Sequence, residues 1–201
     1  MTVFPEELST DRLALRRLDR AVDARTLYDH RRANDEAGVY EFVPFSAFDS
    51  LKAARDALRS LRTRWDDGEG ARYGVFERDG EERDTAVDAS LLGVADCHCL
   101  WDRRTGHPGV ILARDHWSEG YATECFDALL TLAFDRLDLR LVSLHHRVGN
   151  GRSRRAIERL VDRHGGQFDG RLRNWTPTDD GVADERRYTI RRDQYRSTTG
   201  H

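Results

Sequence analysis

A chain of 201 residues suits one domain, and folding at that length buries roughly 70 % of the surface the unfolded chain exposes. Charged residues make up 34 % and hydrophobic ones 38 %, yet the net charge is only −3, which excludes a nucleic-acid or anionic-membrane partner drawn by charge alone. Three cysteines, Cys97, Cys99 and Cys125, are too few and odd in number for a disulfide scaffold.

No secretory leader, transit segment or apolar run of about 18 residues breaks the polar pattern. A soluble, cytoplasmic protein with no membrane and no nucleic-acid partner is therefore expected. Cys97-His98-Cys99 lacks a second ligand pair at zinc spacing, so no metal is expected; alternate residues of a strand share a face, and both cysteines read as small core residues. Lys52 is the only lysine among 33 basic residues, which reads as a mark of genome composition.

In chain order, residues 1–10 form a lead-in and Arg12 to Arg16 alternates as a strand. Asp19 is placed to cap a helix running to about Arg32, with Val22, Leu27 and Tyr28 inward. Gly38 to Asp49 is irregular and aromatic (Tyr40, Phe42, Phe45, Phe48), either an acceptor-pocket wall or a core plug. Ser50 caps a second helix through about Trp65, broken by Asp66-Asp67-Gly68-Glu69-Gly70. Strands follow over Arg72–Arg78 and Ser90–Leu100, separated by a charged hairpin loop over Asp79–Ala89. A turn from Trp101 to Gly106 leads into a strand from His107 to Arg114. The loop from Trp117 to Ala122 then opens directly into a helix ending near Leu137, with Tyr121, Phe126, Leu129, Leu130 and Phe134 on a helical stripe. A strand over Arg140–Arg147, a turn at Val148–Gly151 and a helix over Arg152–His164 come next; Gly165-Gly166 ends that helix. Strands over Gln167–Leu172 and Arg186–Arg192 flank a polar, Pro-containing loop, and Tyr195–His201 reads as frayed. The order predicts one α/β domain over 1–201 with its core at about 9–193. Late edge strands make a homodimer an option.

A strand that feeds a tight turn and then a helix exposes the helix's first amides, which have no partner inside it and carry the positive end of its dipole. That is a place for an anion, phosphate above all. Gly120 permits close backbone approach and Ala122 offers almost no side chain. Trp117-Ser118-Glu119-Gly120-Tyr121-Ala122-Thr123-Glu124 resembles the acetyl-CoA loop of the GNAT superfamily of N-acetyltransferases, whose pattern is Gln/Arg-x-x-Gly-x-Gly/Ala. It is most similar to the branch written W-G-x-G-Y-A-T-E, which includes enzymes acting on ribosomal-protein N-terminal amines. Ser118 stands where that branch has Gly. Ser9 to Arg16 resembles the same branch's opening strand. Asn150-Gly151-Arg152-Ser153-Arg154-Arg155-Ala156-Ile157-Glu158-Arg159-Leu160 resembles its N-x-x-S-x-R/K-x-x-E-K-L-G-F segment, with extra residues after Leu160.

The resemblance implies a mixed, twisted sheet of about seven strands with helices on both faces, splayed between its fourth and fifth strands (His107–Arg114 and Arg140–Arg147). It implies acetyl-CoA as cosubstrate, with the pantetheine arm in the wedge, and an amine acceptor that is a protein N-terminus or a small molecule. It implies cofactor contacts at Leu112, Ala113, Trp117, Ser118, Glu119, Gly120, Tyr121, Ala122, Thr123, Asn150 and Ser153. The acetyl group would pass by direct attack in a ternary complex, with Leu112 or Ala113 supplying an oxyanion amide. Asn150 would bond the pantetheine arm or acceptor, and Ser153 would lie near the sulfur and protonate the leaving thiolate. From the residues themselves, Asn150 reads first as a helix cap, with Ser153 in the first turn. A base helps, because an amine of pKa about 8–10 is mostly protonated at neutral pH. His107, where the branch carries an acid, titrates in the useful range, though an exposed turn histidine is the plainer reading; one of His145 and His146 also faces the wedge. Glu69, Asp102 and Glu119 are candidate contacts for a cationic amine. A non-catalytic CoA-binding or regulatory module of the same fold is the alternative.

Overall fold

The computed structural model describes residues 3–43, 46–78, 90–178 and 181–200. The expected charged loop over 79–89 and part of the aromatic stretch at 44–45 lie outside them. Among the described residues eight strands form one sheet: β1 (Glu7–Ser9), β2 (Leu13–Arg17), β3 (Gly70–Glu77), β4 (Gly93–Leu100), β5 (Thr105–Leu112), β6 (Leu141–Arg147), β7 (Gln167–Thr178) and β8 (Gly181–Arg191). Their spatial order is β1-β2-β3-β4-β5-β6-β8-β7. The helices are α1 (Leu18–Ala21), α2 (Ala24–Glu36), α3 (Leu51–Asp66), α4 (Tyr121–Thr131), α5 (Gly151–Arg163) and α6 (Arg192–Thr199). Among the described residues no helix is long and apolar enough to cross a membrane.

The apolar stripes do the packing. On one face Phe126, Leu129, Leu130 and Phe134 join Ile157, Leu160 and Val161 of α5 over Cys97, Val142 and Ile190 of the sheet. A π-helical turn (Leu132–Arg136) extends α4 and keeps Leu132, Ala133 and Phe134 all buried. Each such side chain contributes about 1.5–3 kcal/mol on burial. Leu18, Leu27, Phe76 and Leu91 form a smaller cluster on the other face. Cys97 and Cys99 point into the main core, as alternation required.

The sheet of about seven strands has eight, and four local readings are corrected. The lead-in holds a strand, because Leu8 is buried and pairs with Leu15 at the edge. The first helix splits: Val22 is extended, and Asp23 caps α2 by accepting from Thr26 N at 2.7 Å. Asp19 cannot serve as that cap, because both its oxygens bind Arg17, at 2.7 and 3.1 Å. The Pro-containing stretch after Leu172 stays in the β7–β8 ladder, with Pro177 opposite Val182 and irregularities at Phe168/Gly170 and Leu172/Thr176; an outer strand tolerates the missing N–H. The C-terminus is α6 rather than frayed chain, because Tyr195 is buried with its hydroxyl near Thr131 Oγ1 at 3.1 Å and Asp135 Oδ2 at 3.2 Å.

The splay has a local cause. β5 pairs with β6 in parallel only at Thr105↔Leu141 and Gly106↔Val142. On its other side β5 is antiparallel to β4, and Ala113 N donates to Leu92 O at 2.8 Å. Backbone groups alternate sides along such a strand, so His107, Gly109 and Ile111 bond β4 while positions 108, 110 and 112 face β6. Position 108 is Pro108, which has no N–H. The parallel ladder ends before it, and the backbone of Val110 and Leu112, which has no β6 partner, lines the opening wedge.

Candidate functional site

A cavity of about 340 Å³ opens at that wedge. Its walls are the loop after α2 (Gly38, Val39, Phe42), the end of β5 (Val110–Leu112), the loop into α4 and the first two turns of α5. Arg152, Arg155 and Arg159 project into it from α5, where spacings of three and four share a helix face. Glu41 is the carboxylate among its lining residues, so its field favours an anion.

The loop into α4 is shaped by two left-handed residues, Ser118 (φ 70°) and Gly120 (φ 82°). Thr123 N and Glu124 N both donate to Gly120 O, at 3.1 and 3.2 Å. Among the described residues, the five amides from Ser118 to Ala122 donate to no protein acceptor. Trp117 is fixed by Nε1 donating to Leu112 O at 2.9 Å, with the Arg152 guanidinium 4.0 Å above its ring. A run of free amides at a helix start, backed by arginines, is what a diphosphate requires.

Arg12 and Glu124 pair against that loop. The Glu124 carboxylate accepts from Thr10 Oγ1, from Arg12 N at 2.9 Å and from Arg12 Nε at 2.9 Å. Arg12 also donates to Glu119 O at 3.1 Å and lies 4.7 Å over the Tyr121 ring. Burial alone would raise the Glu124 pKa; the bonds from Thr10 and Arg12 outweigh it and hold the carboxyl below its usual range.

Leu112, Trp117, Ser118, Gly120, Tyr121, Ala122, Thr123, Asn150 and Ser153 line this one cavity. Three expected residues do not. Ala113 cannot offer an oxyanion amide, because Leu92 O already takes it; Leu112, facing β6, can. Glu119 meets Arg12 through its carbonyl, and His107 lies deeper, at the wedge apex. Burial, then the charge of neighbouring His145, pushes the His107 pKa down to about 4, so it is neutral at pH 7 and a poor resting place for an amine's proton. Asn150 is a helix cap, its Oδ1 accepting from Ser153 N at 3.0 Å, which leaves its amide NH₂ for a ligand. Glu69 and Asp102 sit at turns on the opposite end of β3–β5 from the cavity.

Sequence reasoning missed Arg159 and the Arg12–Glu124 lock. Both lock residues stood inside quoted motifs, but a contact across 112 positions leaves no spacing signal. His145 and His146 divide as alternation demands. His145 meets Glu185, while His146 is buried on the opposite face, 3.5 Å from Tyr188 Oη.

Residues 12–160 match the family profile described as an acetyltransferase (GNAT) domain. The uncharacterised N-acetyltransferase YoaA of Bacillus subtilis (strain 168) is 27 % identical over 181 residues, covering 87 % of this chain and 93 % of its own. Among solved structures, a Vibrio cholerae protein provisionally described as a ribosomal-protein-serine acetyltransferase superposes with TM-score 0.71 at 19 % identity, covering 95 % of this chain and 99 % of its own. A spermidine N-acetyltransferase from Vibrio cholerae, in complex with CoA and spermine, superposes with TM-score 0.70 at 20 % identity, covering 91 % and 97 %. Identities that low establish a shared fold.

Proposed function

The chain belongs to the GNAT acetyltransferase family, and from that premise we propose that it carries an acetyl group from acetyl-CoA to the primary amine of a protein N-terminus or a small amine. The observation that carries this reading is the set of free amides from Ser118 to Ala122, opening on a cavity edged by Arg152, Arg155 and Arg159. These groups suit the diphosphate. The β5 edge from Val110 to Leu112, past its last pair with β6, suits the amide-bearing arm that follows it, although Leu112 O already accepts from Trp117 Nε1; the Leu112 N–H can polarise a carbonyl brought there. When bound, the coenzyme supplies an activated thioester. The protein's part is to hold both substrates together, which can contribute about 7 kcal/mol, to take up the ammonium proton, and to supply one to the sulfur. Ser153, in the first turn of α5 beside Asn150, is our candidate for the last role.

Two observations bear on the acceptor. The loop from Trp117 to Glu124 resembles a branch that includes enzymes acting on protein N-terminal amines alongside others acting on small amines, and one fold neighbour is a spermidine N-acetyltransferase in complex with CoA and spermine. Isothermal titration with acetyl-CoA tests the binding half: micromolar binding by the wild type and none by Gly120→Glu is the expected pair. A Cβ there would meet Arg12 Nη2 at 3.3 Å on a φ of +82°. Free-thiol release with N-terminal peptides and polyamines tests transfer; binding without release across that panel would instead indicate a non-catalytic CoA-binding module.

A further inference from the structure

Glu41 lines the cavity, and neither a diphosphate nor a thioester gives a carboxylate anything to bind. Among the described residues it is the sole carboxylate of the lining, which also holds Arg152, Arg155 and Arg159. Among the same residues its side chain forms no hydrogen bond or ion pair, with those arginines or with any other group. A carboxylate left unpaired beside three guanidinium groups is open to a cation from outside.

The backbone around Glu41 is held on both sides. Val43 N donates to Tyr40 O at 3.1 Å, which makes Glu41 and Phe42 the middle residues of a tight turn. Before that turn, Arg114 Nη1 donates to Ala37 O at 3.1 Å. Tyr40 is buried, with the Arg31 guanidinium 5.0 Å over its ring. Phe42 lies under the Arg147 guanidinium at 5.5 Å, and a Cβ on Gly149 would meet its Cε1 at 3.4 Å. The segment thus reaches from the end of β5 to the turn before α5, where Phe42 rests on the residue next to Asn150. Glu41 is thereby set near the Asn150 end of the cavity, and its exposed side chain stands at the mouth.

We propose that Glu41 selects the acceptor. The substrate is a small amine with a second positive charge, as in a diamine or polyamine, and Glu41 holds that second charge. This rests on the acetyl-transfer reading above. The reacting nitrogen is the wrong group for a carboxylate to hold, because an ion pair keeps an amine protonated and the attack needs its lone pair. A charge that persists through the reaction brings no such conflict, and fixing it fixes where the other end of the chain lies. With a coenzyme bound, Arg152, Arg155 and Arg159 face phosphate, and their repulsion of a cation is cancelled. Glu41 then sets the sign of the field at the mouth. A neutral chain of the same length gains nothing from it.

The test uses the whole chain with acetyl-CoA and three probe amines: spermidine, butylamine and a free-N-terminus alanyl peptide. The wild type should favour spermidine over butylamine in kcat/KM, through KM. Glu41→Gln should cut that ratio about 5–10-fold, and Glu41→Asp should cut it less. Added salt should erode the ratio in the wild type and hardly touch it in Glu41→Gln, a response that loss of a merely structural residue would not produce. Titration calorimetry of spermidine into CoA-saturated protein needs no turnover and should show binding that Glu41→Gln weakens by the same factor. A ratio and an affinity indifferent to Glu41→Gln, or a peptide acetylated with higher kcat/KM than spermidine, overturns the proposal and leaves acetyl transfer standing. Wild-type protein that binds acetyl-CoA yet releases no thiol with any of the three overturns the acetyl-transfer reading and this inference with it.

Discussion

Substituting Glu124→Gln should weaken acetyl-CoA binding although the carboxylate points away from the cavity. Its side chain is 18 % exposed and ion-pairs with Arg12 at 2.8 Å. The amide keeps the shape but loses the charge, and its NH₂ turns a donor toward donors on Thr10 and Arg12. Because Arg12 itself is solvated, the pair is worth less than a buried one. The change costs about 1–2 kcal/mol, concentrated where Arg12 reaches Glu119 O and the Tyr121 ring. If the lock serves to hold the amides from Ser118 to Ala122 aimed at the cavity, that cost appears as an acetyl-CoA Kd raised about 5–30-fold. kcat at saturating acetyl-CoA should change less than about twofold, since uniform binding alone is lost. Titration calorimetry and initial rates separate the two. A lowered melting temperature with an unaltered Kd would refute the reasoning, leaving the pair as a brace between β2 and α4 and nothing more.

Ser118 sits at φ 70°, a conformation that costs a side-chain-bearing residue about 1–2 kcal/mol. Ser118→Gly should leave acetyl-CoA binding within about twofold, whereas β-branched Ser118→Val should lower both stability and affinity. Arg17 is almost wholly buried against Asp19, with its guanidinium 4.8 Å over the Trp65 ring. Arg17→Leu strands a buried carboxylate and should cost about 3 kcal/mol in a urea titration, most of it recovered by adding Asp19→Leu. Burial, followed by nearby positive charge, holds His107 and His30 at about 4 against an ordinary 6.5. The unfolded chain therefore takes these protons first, and stability should fall as pH drops from 6.5 toward 4 and stay level above that window. Melting curves of His107→Gln with His30→Gln should be flatter across it.

The parts of the fold legible from the sequence were those fixed by neighbours in sequence. Ser50 caps α3 through Ala53 N at 3.2 Å, and the stripe from Phe126 to Phe134 is buried as its spacing required. The misreadings each involve a distant partner that outbids a local one. Asp19 has the chemistry of a helix cap, but Arg17 takes both its oxygens. Tyr195 sits near a chain end, but the pocket formed by Thr131 and Asp135 orders it. The site divides the same way. Its anion-binding half is one contiguous loop with a pattern. The opposite half of the wedge draws Ser143, His145 and Glu185 together across 40 positions, and the register shifts of β7 that precede and follow Trp175 have no sequence rule.

Pro108 links the two halves. Among the β5 positions that face β6 it alone lacks a hydrogen to donate, and the sheet opens directly after the last pair, Gly106↔Val142. A donor there would favour continuing the parallel ladder along Val110 and Leu112, closing the edge that a ligand's own amides could use and pressing β6 against Gly109. The missing hydrogen thus favours an open edge on β5, where the acetyl-transfer reading puts a cofactor arm. The missing donor at Pro108 is therefore one backbone contribution to the opening, placed directly after the last pair of the β5–β6 ladder.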